Sequence, residues 1–254
     1  MKNWKENILA PLLFTVALLI LWELACRVFS LPATVLPTPT AIAKAMVQYW
    51  PAIWENSLQT LVTTLLGFAL AIVAGLALGI GIGWSKFIYG ALYPVMIAFN
   101  AIPKVAVVPI LIIWFGIGTI PAIFTAFLIS FFPIVVNVAT GLATTEPELQ
   151  DVLRALGASK LDIVRKVGIP RSMPYFFGSL KVAITLAFVG SVVSETIGAN
   201  SGLGQMMLAA QAGFNVELVF AGVMALAILG IALYAITALI EKRFTSWAFR
   251  AEGI

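Results

Sequence analysis

Residues 144–174 read TTEPELQDVLRALGASKLDIVRKVGIPRSMP, the only long charge-rich stretch in a chain of 254 residues. The chain is 61% hydrophobic and 10% charged, where soluble domains carry about 45–50% and about 25%. A chain this apolar has lipid as its solvent, so the stretch reads as a loop between membrane spans. Thr145 and Glu148 have the spacing of a capping box, and Pro147 suits a first helical turn. A helix is predicted from there to about Leu156, with Gly157 as its stop and in a positive-φ conformation. Ser159 and Asp162 repeat the capping spacing, Asp standing for the usual Glu or Gln. They open a second helix to about Val167, stopped by Gly168 and Pro170. The prediction is a helix–glycine–helix hairpin over 145–168. Leu149, Val152, Leu153 and Leu156 form an apolar stripe on it, and Arg154, Arg165, Lys166 and Arg171 supply charge. An amphipathic knob of this kind suits docking into a groove on another protein.

Outward from this loop, a span needs about 20 mostly apolar residues. Six segments qualify, at about 8–26, 58–84, 87–116, 120–142, 174–195 and 217–240. The first follows Lys2 and Lys5 and so resembles a signal peptide. It exceeds the usual core of about 7–15 residues, and no A-x-A site follows it. Leu24-Ala25-Cys26 is similar to a lipoprotein site, but Glu23 stands where an apolar residue is expected. The segment is read as a retained transmembrane helix, with Cys26 as a small apolar side chain in it.

Lys and Arg orient the spans. With a cytoplasmic N-terminus, the inside segments hold Lys2, Lys5, Lys86, Arg154, Lys160, Arg165, Lys166, Arg171, Lys242, Arg243 and Arg250. The outside segments hold Arg27 and Lys44. The positive-inside rule then places the hairpin and both termini in the cytoplasm, and the expected location is a bacterial cytoplasmic (inner) membrane.

Within this frame several features stand out. Leu36-Pro37-Thr38-Pro39-Thr40 precedes a short helix expected to end near Trp50, with Ile42, Met46 and Trp50 on one face and suited to the outer interface. Gly67, Ala71, Gly75, Gly79 and Gly83 are each four residues apart, so they share one helical face where a second backbone can approach closely. That partner is a helix of the same subunit, a dimer seam or the transport path. The third span contains Asn100, Pro103, Lys104 and Pro109, which predicts a kink or break near Pro103. A charge at that depth is expensive and often functional, although a lysine can also snorkel to an interface.

Candidate residues for a translocation path are the polar groups in or near spans: Asn100, Lys104, Asn137, Ser191, Ser194, Glu195 and Thr196. For Asn137 the alternative is a bond to a neighbouring helix, and for the two serines a bond to their own backbone. Glu195 reads as a solvated carboxylate at a span end, a gate, or a contact for an external protein. With no His and a single Cys, no His metal site, His triad or intrachain disulfide is available, and no cofactor is expected. No G-x-x-x-x-G-K-[ST] loop is present, so nucleotide hydrolysis would belong to a partner.

The run Asp151-Val152-Leu153-Arg154-Ala155-Leu156-Gly157-Ala158-Ser159, followed by Val167-Gly168-Ile169-Pro170, resembles the EAA loop of binding-protein-dependent ABC permeases. Gly157 and Pro170 match in place and spacing. Asp151 stands for Glu, and Val152 and Leu153 replace two alanines. Leu36-Pro37-Thr38-Pro39, Ile113-Trp114-Phe115-Gly116-Ile117-Gly118, Phe132-Pro133-Ile134 and Gly202-Leu203-Gly204 soon after Glu195 resemble the subgroup importing sulfonates, taurine and nitrate. The resemblance implies an all-α integral membrane protein of type I importer fold, with six transmembrane helices and a cytoplasmic coupling hairpin. It divides the chain into an N-terminal helix with its external helix (1–56) and a permease core of five spans (57–250) carrying the EAA-like loop (145–170). It also implies ABC ATPase subunits, an external substrate-binding protein and a second permease copy as partners. ATPase coupling would fall on Asp151, Val152, Leu153, Arg154, Leu156, Gly157, Ala158, Ser159 and Pro170. The competing readings are an ATP-independent secondary transporter or channel and an integral-membrane enzyme. Against the first stand spans without His, and against the second the lack of G-x-S-x-G or closely paired carboxylates in a span.

Overall fold

The computed structural model describes residues 4–143 and 147–246. Helix α1 (Trp4–Val28) is followed by α2 (Pro39–Gln48), α3 (Trp50–Gly83) and α4 (Lys86–Asn100). A 3-10 turn (Lys104–Val107) leads into α5 (Val108–Phe115), then α6 (Thr119–Ala143), α7 (Pro147–Ala155) and α8 (Lys160–Ile163). A π turn (Val164–Gly168) continues directly into α9 (Ile169–Gly198), and α10 (Leu203–Ala212) and α11 (Val216–Thr245) complete the chain. No strand occurs among the described residues.

Five helical stretches are long and apolar enough to span a membrane: 9–28, 50–83, 119–143, 161–198 and 216–245. The third expected span is α4 and α5, two helices bent by 72° at the break between Asn100 and Lys104. Counted as one, they bring the total to six. The break falls at Pro103, which has no N–H to donate and adopts an extended conformation (ψ 93°). Pro109 lies in the first turn of α5, where no donor is needed. The division at residues 56 and 57 falls within α3.

The glycine stripe decides the packing. A β-carbon on Gly67 would lie 2.5 Å from Ala126 Cβ, one on Gly75 2.7 Å from Ile134 Cγ2, one on Gly79 2.7 Å from Val138 Cβ, and one on Gly83 2.8 Å from Leu142 Cβ. The partner is therefore α6 of the same chain along the whole stripe. An adjoining side of α6 meets α9 in the same way: a β-carbon on Gly190 would be 3.1 Å from Ala126 Cα, and one on Gly141 2.9 Å from Ser172 Cβ. Ala71, Ile134, Val138, Leu142, Leu180 and Ala183 form the core between α3, α6 and α9.

Helix α1 is largely exposed from Leu9 to Leu21. Its C-terminal end packs: Trp22 lies 6.4 Å from Phe220, and Cys26 is buried beside Leu36. Helix α2 is capped by Thr38, whose hydroxyl accepts the Ala41 N–H. It ends at Gln48, two residues before Trp50, because Pro51 requires a new helix start. Ile42 and Met46 turn toward Ile53, Leu203, Met206, Ala221 and Ala225 inside the protein, and Trp50 stacks on Trp54 at the start of α3.

A second expectation is corrected at Gly168 and Pro170, which do not stop a helix. Residues 161–198 form one helical rod. The π turn places one extra residue in the winding, with the Ile169 N–H bonding back to Val164 O. It sits immediately before Pro170, whose ring would otherwise meet the carbonyl four residues back. Gly168 is buried, with its Cα face against Leu142.

Candidate functional site

The hairpin is built from its caps. Helix α7 starts at Pro147 as predicted. The Thr145–Glu148 pair and the Leu149 side chain lie outside the described residues. At the other end Gly157 has φ +83°. The Gly157 N–H bonds to Arg154 O at 2.9 Å and the Ala158 N–H to Leu153 O at 2.9 Å, the two bonds of a Schellman motif. A β-carbon at Gly157 would touch nothing within 4 Å, so the demand for glycine there is conformational. Ser159 and Asp162 cap α8 reciprocally: the Asp162 N–H bonds to Ser159 Oγ at 3.2 Å, while the Ser159 hydroxyl and N–H donate to Asp162 Oδ2 at 2.5 and 3.3 Å.

The result is an exposed two-helix knob. Val152, Leu156 and Leu161 present apolar surface, Leu156 being 78% exposed, and Leu153 is half-buried. Arg154 pairs with Asp151 at 3.1 Å on one side of α7, and Lys166 with Asp162 at 3.7 Å below it. Pro170 is separate, inside the rod of α9. The rod is tied to α11 by the Lys181–Glu241 ion pair at 2.6 Å.

The polar residues expected within the spans fall in different places. Asn100 and Lys104 meet at the break: Lys104 Nζ donates to Asn100 Oδ1 at 2.6 Å and lies 5.6 Å from the Phe132 ring centroid. Asn137 bonds within its own helix, donating to Pro133 O at 2.8 Å rather than to a neighbour. Ser191 bonds Thr63 of α3 and Glu195, not its own backbone. Ser194 Oγ is buried without a protein partner among the described residues.

Glu195 is not a solvated carboxylate. It is 1% exposed and accepts from the Thr60 hydroxyl at 2.8 Å, the Gly204 N–H at 3.1 Å and the Thr63 hydroxyl at 3.3 Å. Thr60 Oγ1 in turn accepts the Leu203 N–H at 2.9 Å, and Asn56 Oδ1 the Gly202 N–H at 2.8 Å. Three successive N–H groups at the start of α10 are thus satisfied by side chains of α3 and α9, and a carboxyl group sits at that helix N-terminus. Sequence reasoning missed Asn56, Thr60 and Thr63. Their spacing of four and three, which puts them on one face at the start of an apolar span, was the available signal.

Compared with known proteins, residues 71–246 match the family described as binding-protein-dependent transport system inner membrane component. The chain belongs to this family. As a binding-protein-dependent permease it is 32% identical to the formylaminopyrimidine transport permease of Halalkalibacterium halodurans, over 94% of this chain and 96% of that one. It is 28% identical to the putative aliphatic sulfonates transport permease of Bacillus subtilis, over 99% and 90%. In fold, it matches a chain of the MetNI methionine ABC transporter in an inward-facing conformation with a TM-score of 0.64 at 23% identity, over 79% of this chain and 97% of that one. The permease is therefore a multi-pass membrane subunit of an ABC importer, and its all-α fold is the one that the EAA-like loop implied. The relatives differ in what their names say they carry, so the sulfonate–taurine–nitrate likeness does not fix a solute.

Proposed function

We propose that this permease forms the translocation path of an ATP-driven importer and that its hairpin is where the ATPase docks. The observation that carries this reading is the exposed knob of Val152, Leu156 and Leu161, set by the Gly157 turn and continuous through the π turn with a 38-residue rod. A push on the knob moves α9, and α9 packs on α6 without slack at Gly141 and Gly190. The docking residues are Asp151, Val152, Leu153, Arg154, Leu156, Gly157, Ala158 and Ser159, with Pro170 seating the rod above them.

ATP binding and hydrolysis by cytoplasmic ABC subunits then bias two states of the permease. An external binding protein delivers the solute, a second permease copy completes a homodimeric path, and both termini lie in the cytoplasm. The solute is small, and Lys104 at the break suits an anion, as in sulfonate, taurine or nitrate uptake. Co-expression with the ATPase, followed by detergent extraction and purification on a tag carried by the permease, tests the reading. The expected result is a complex that hydrolyses ATP and responds to the binding protein. A permease that transports its solute in vesicles with no ATPase bound would instead mark it as an ATP-independent transporter.

A further inference from the structure

We propose that Glu195 is a positioning residue that carries the movement of α9 to α10 at the opposite end of the bundle. The inference rests on the importer reading above. Glu195 lies 34 residues along the same rod from Leu161, three residues before the rod ends at Gly198. Its carboxylate leaves that rod and holds the start of another helix through the Gly204 N–H. Thr60 joins the same point to α3, since its hydroxyl donates to Glu195 while its oxygen accepts the Leu203 N–H. Its proton is therefore committed.

One oxygen of the carboxyl group thus holds two committed donors, the Gly204 N–H and the Thr60 hydroxyl, while the other faces the hydroxyls of Thr63 and Ser191, which bond each other and can donate or accept, Thr63 also having Thr60 O at 3.0 Å. A buried acceptor among donors has an exacting requirement. A leucine in its place would remove the acceptor and leave the Gly204 N–H and the Thr60 hydroxyl buried without it, whereas a glutamine could keep its oxygen on those two donors and give its NH2 to the Thr63 or Ser191 oxygen. The two glycines of the Gly202-Leu203-Gly204 run belong to this arrangement. A β-carbon on Gly204 would lie 2.5 Å from Val192 O and 2.8 Å from Glu195 Cβ, and Gly202 has φ +107°. The turn can approach α9 this closely only without side chains. Helix α10 is thereby fixed to α9 and α3 at its N-terminal end, and from its C-terminal end the chain turns into α11. Motion of the hairpin, passed along the rod, reaches α10 through Glu195.

The test uses the complete complex in liposomes on a Cys26→Ser background, with a reporter cysteine at the exposed Ala212 of α10. With Glu195 intact, labelling of the reporter should differ between the nucleotide-free and ATP-bound complex. Glu195→Leu, which removes the acceptor, should retain the ATPase, abolish that difference, and lower solute transported per ATP roughly tenfold, the equivalent of about one hydrogen bond. Thr60→Val should do the same, and Thr60→Ser, which keeps both bonds, should restore coupling. Unchanged transport per ATP and unchanged nucleotide-dependent labelling in Glu195→Leu would overturn the proposal. So would failure of both Glu195→Leu and Thr60→Val to assemble, which would assign the network to folding alone. A wild-type permease that binds no ATPase would count against the importer reading instead.

Discussion

Gly67 of α3 packs directly against Ala126 of α6, with no room for a side chain between them. A β-carbon on Gly67 would lie 2.5 Å from Ala126 Cβ and 2.7 Å from Ile123 O, closer than two carbon atoms of neighbouring side chains can pack. The same closeness recurs at Gly75, Gly79 and Gly83, so α3 and α6 are held in register over much of their length. In lipid, where apolar burial does little to join helices, this close packing supplies the attraction.

Gly79→Leu should therefore force α3 from α6. The first atom of the new side chain meets Val138 Cβ at 2.7 Å and Val135 O at 3.0 Å, and overpacking of this kind costs about 1–3 kcal/mol or more. The expected outcome is a lower melting temperature and less assembled protein in detergent. A variant with unchanged melting and unchanged oligomeric state would show that the helices can part at no cost.

At the break between α4 and α5, Lys104→Met should lower transport per molecule while leaving the amount of protein in the membrane near normal. The ammonium is held by Asn100 and lies over the Phe132 ring, so the substitution removes a placed charge and keeps the apolar stem. Uptake normalised to permease content is the measurement. Unchanged uptake would make Lys104 a lysine that serves only to settle the break.

The Lys181–Glu241 pair, with side chains 28% and 14% exposed, joins the rod to α11. Lys181→Met alone should destabilise the permease more than Lys181→Met with Glu241→Met, because the single change strands a half-buried carboxylate. A double-mutant cycle on melting temperature measures the coupling. Additive single changes would mean that the pair contributes nothing to holding α11.

What could be read from the chain was what depends on near neighbours. The glycine spacing, the break at Pro103, the Schellman turn at Gly157 and the Ser159–Asp162 cap are each set within a few residues, so their patterns are visible in sequence. The halt expected at Gly168 and Pro170 was wrong for a local reason that no pattern displays: one extra residue in a π turn lets the winding pass a proline. Met46 and Trp50 shared a predicted face, but Pro51 starts a new helix between that face and the next. Glu195 was illegible for a different reason. Its partner Thr60 is 135 positions away, and only the folded α3–α9 contact shows that the carboxylate is buried among donors rather than solvated.

Topology has its own test. On a Cys26→Ser background, a cysteine at the exposed Ser159 should react with a membrane-impermeant reagent only after the membrane is opened from the cytoplasmic side. Reaction in intact cells would place the hairpin outside.

The central claim is that the hairpin docks the ATPase, and Gly157 is the residue on which its shape turns. Gly157→Val puts a β-branched residue at φ +83°, a strain of about 1–3 kcal/mol, in a turn whose β-carbon position is otherwise empty, so the spans should be untouched. Asp151→Lys reverses an exposed charge that now pairs with Arg154; within the hairpin alone that change is worth only a few tenths of a kcal/mol. The decisive measurement is the amount of ATPase that co-purifies with each variant, with ATP hydrolysis followed in the presence of the binding protein. Loss of bound ATPase in both variants, with permease melting unchanged, is the predicted result. Full ATPase retention and normal coupled hydrolysis in both would contradict it.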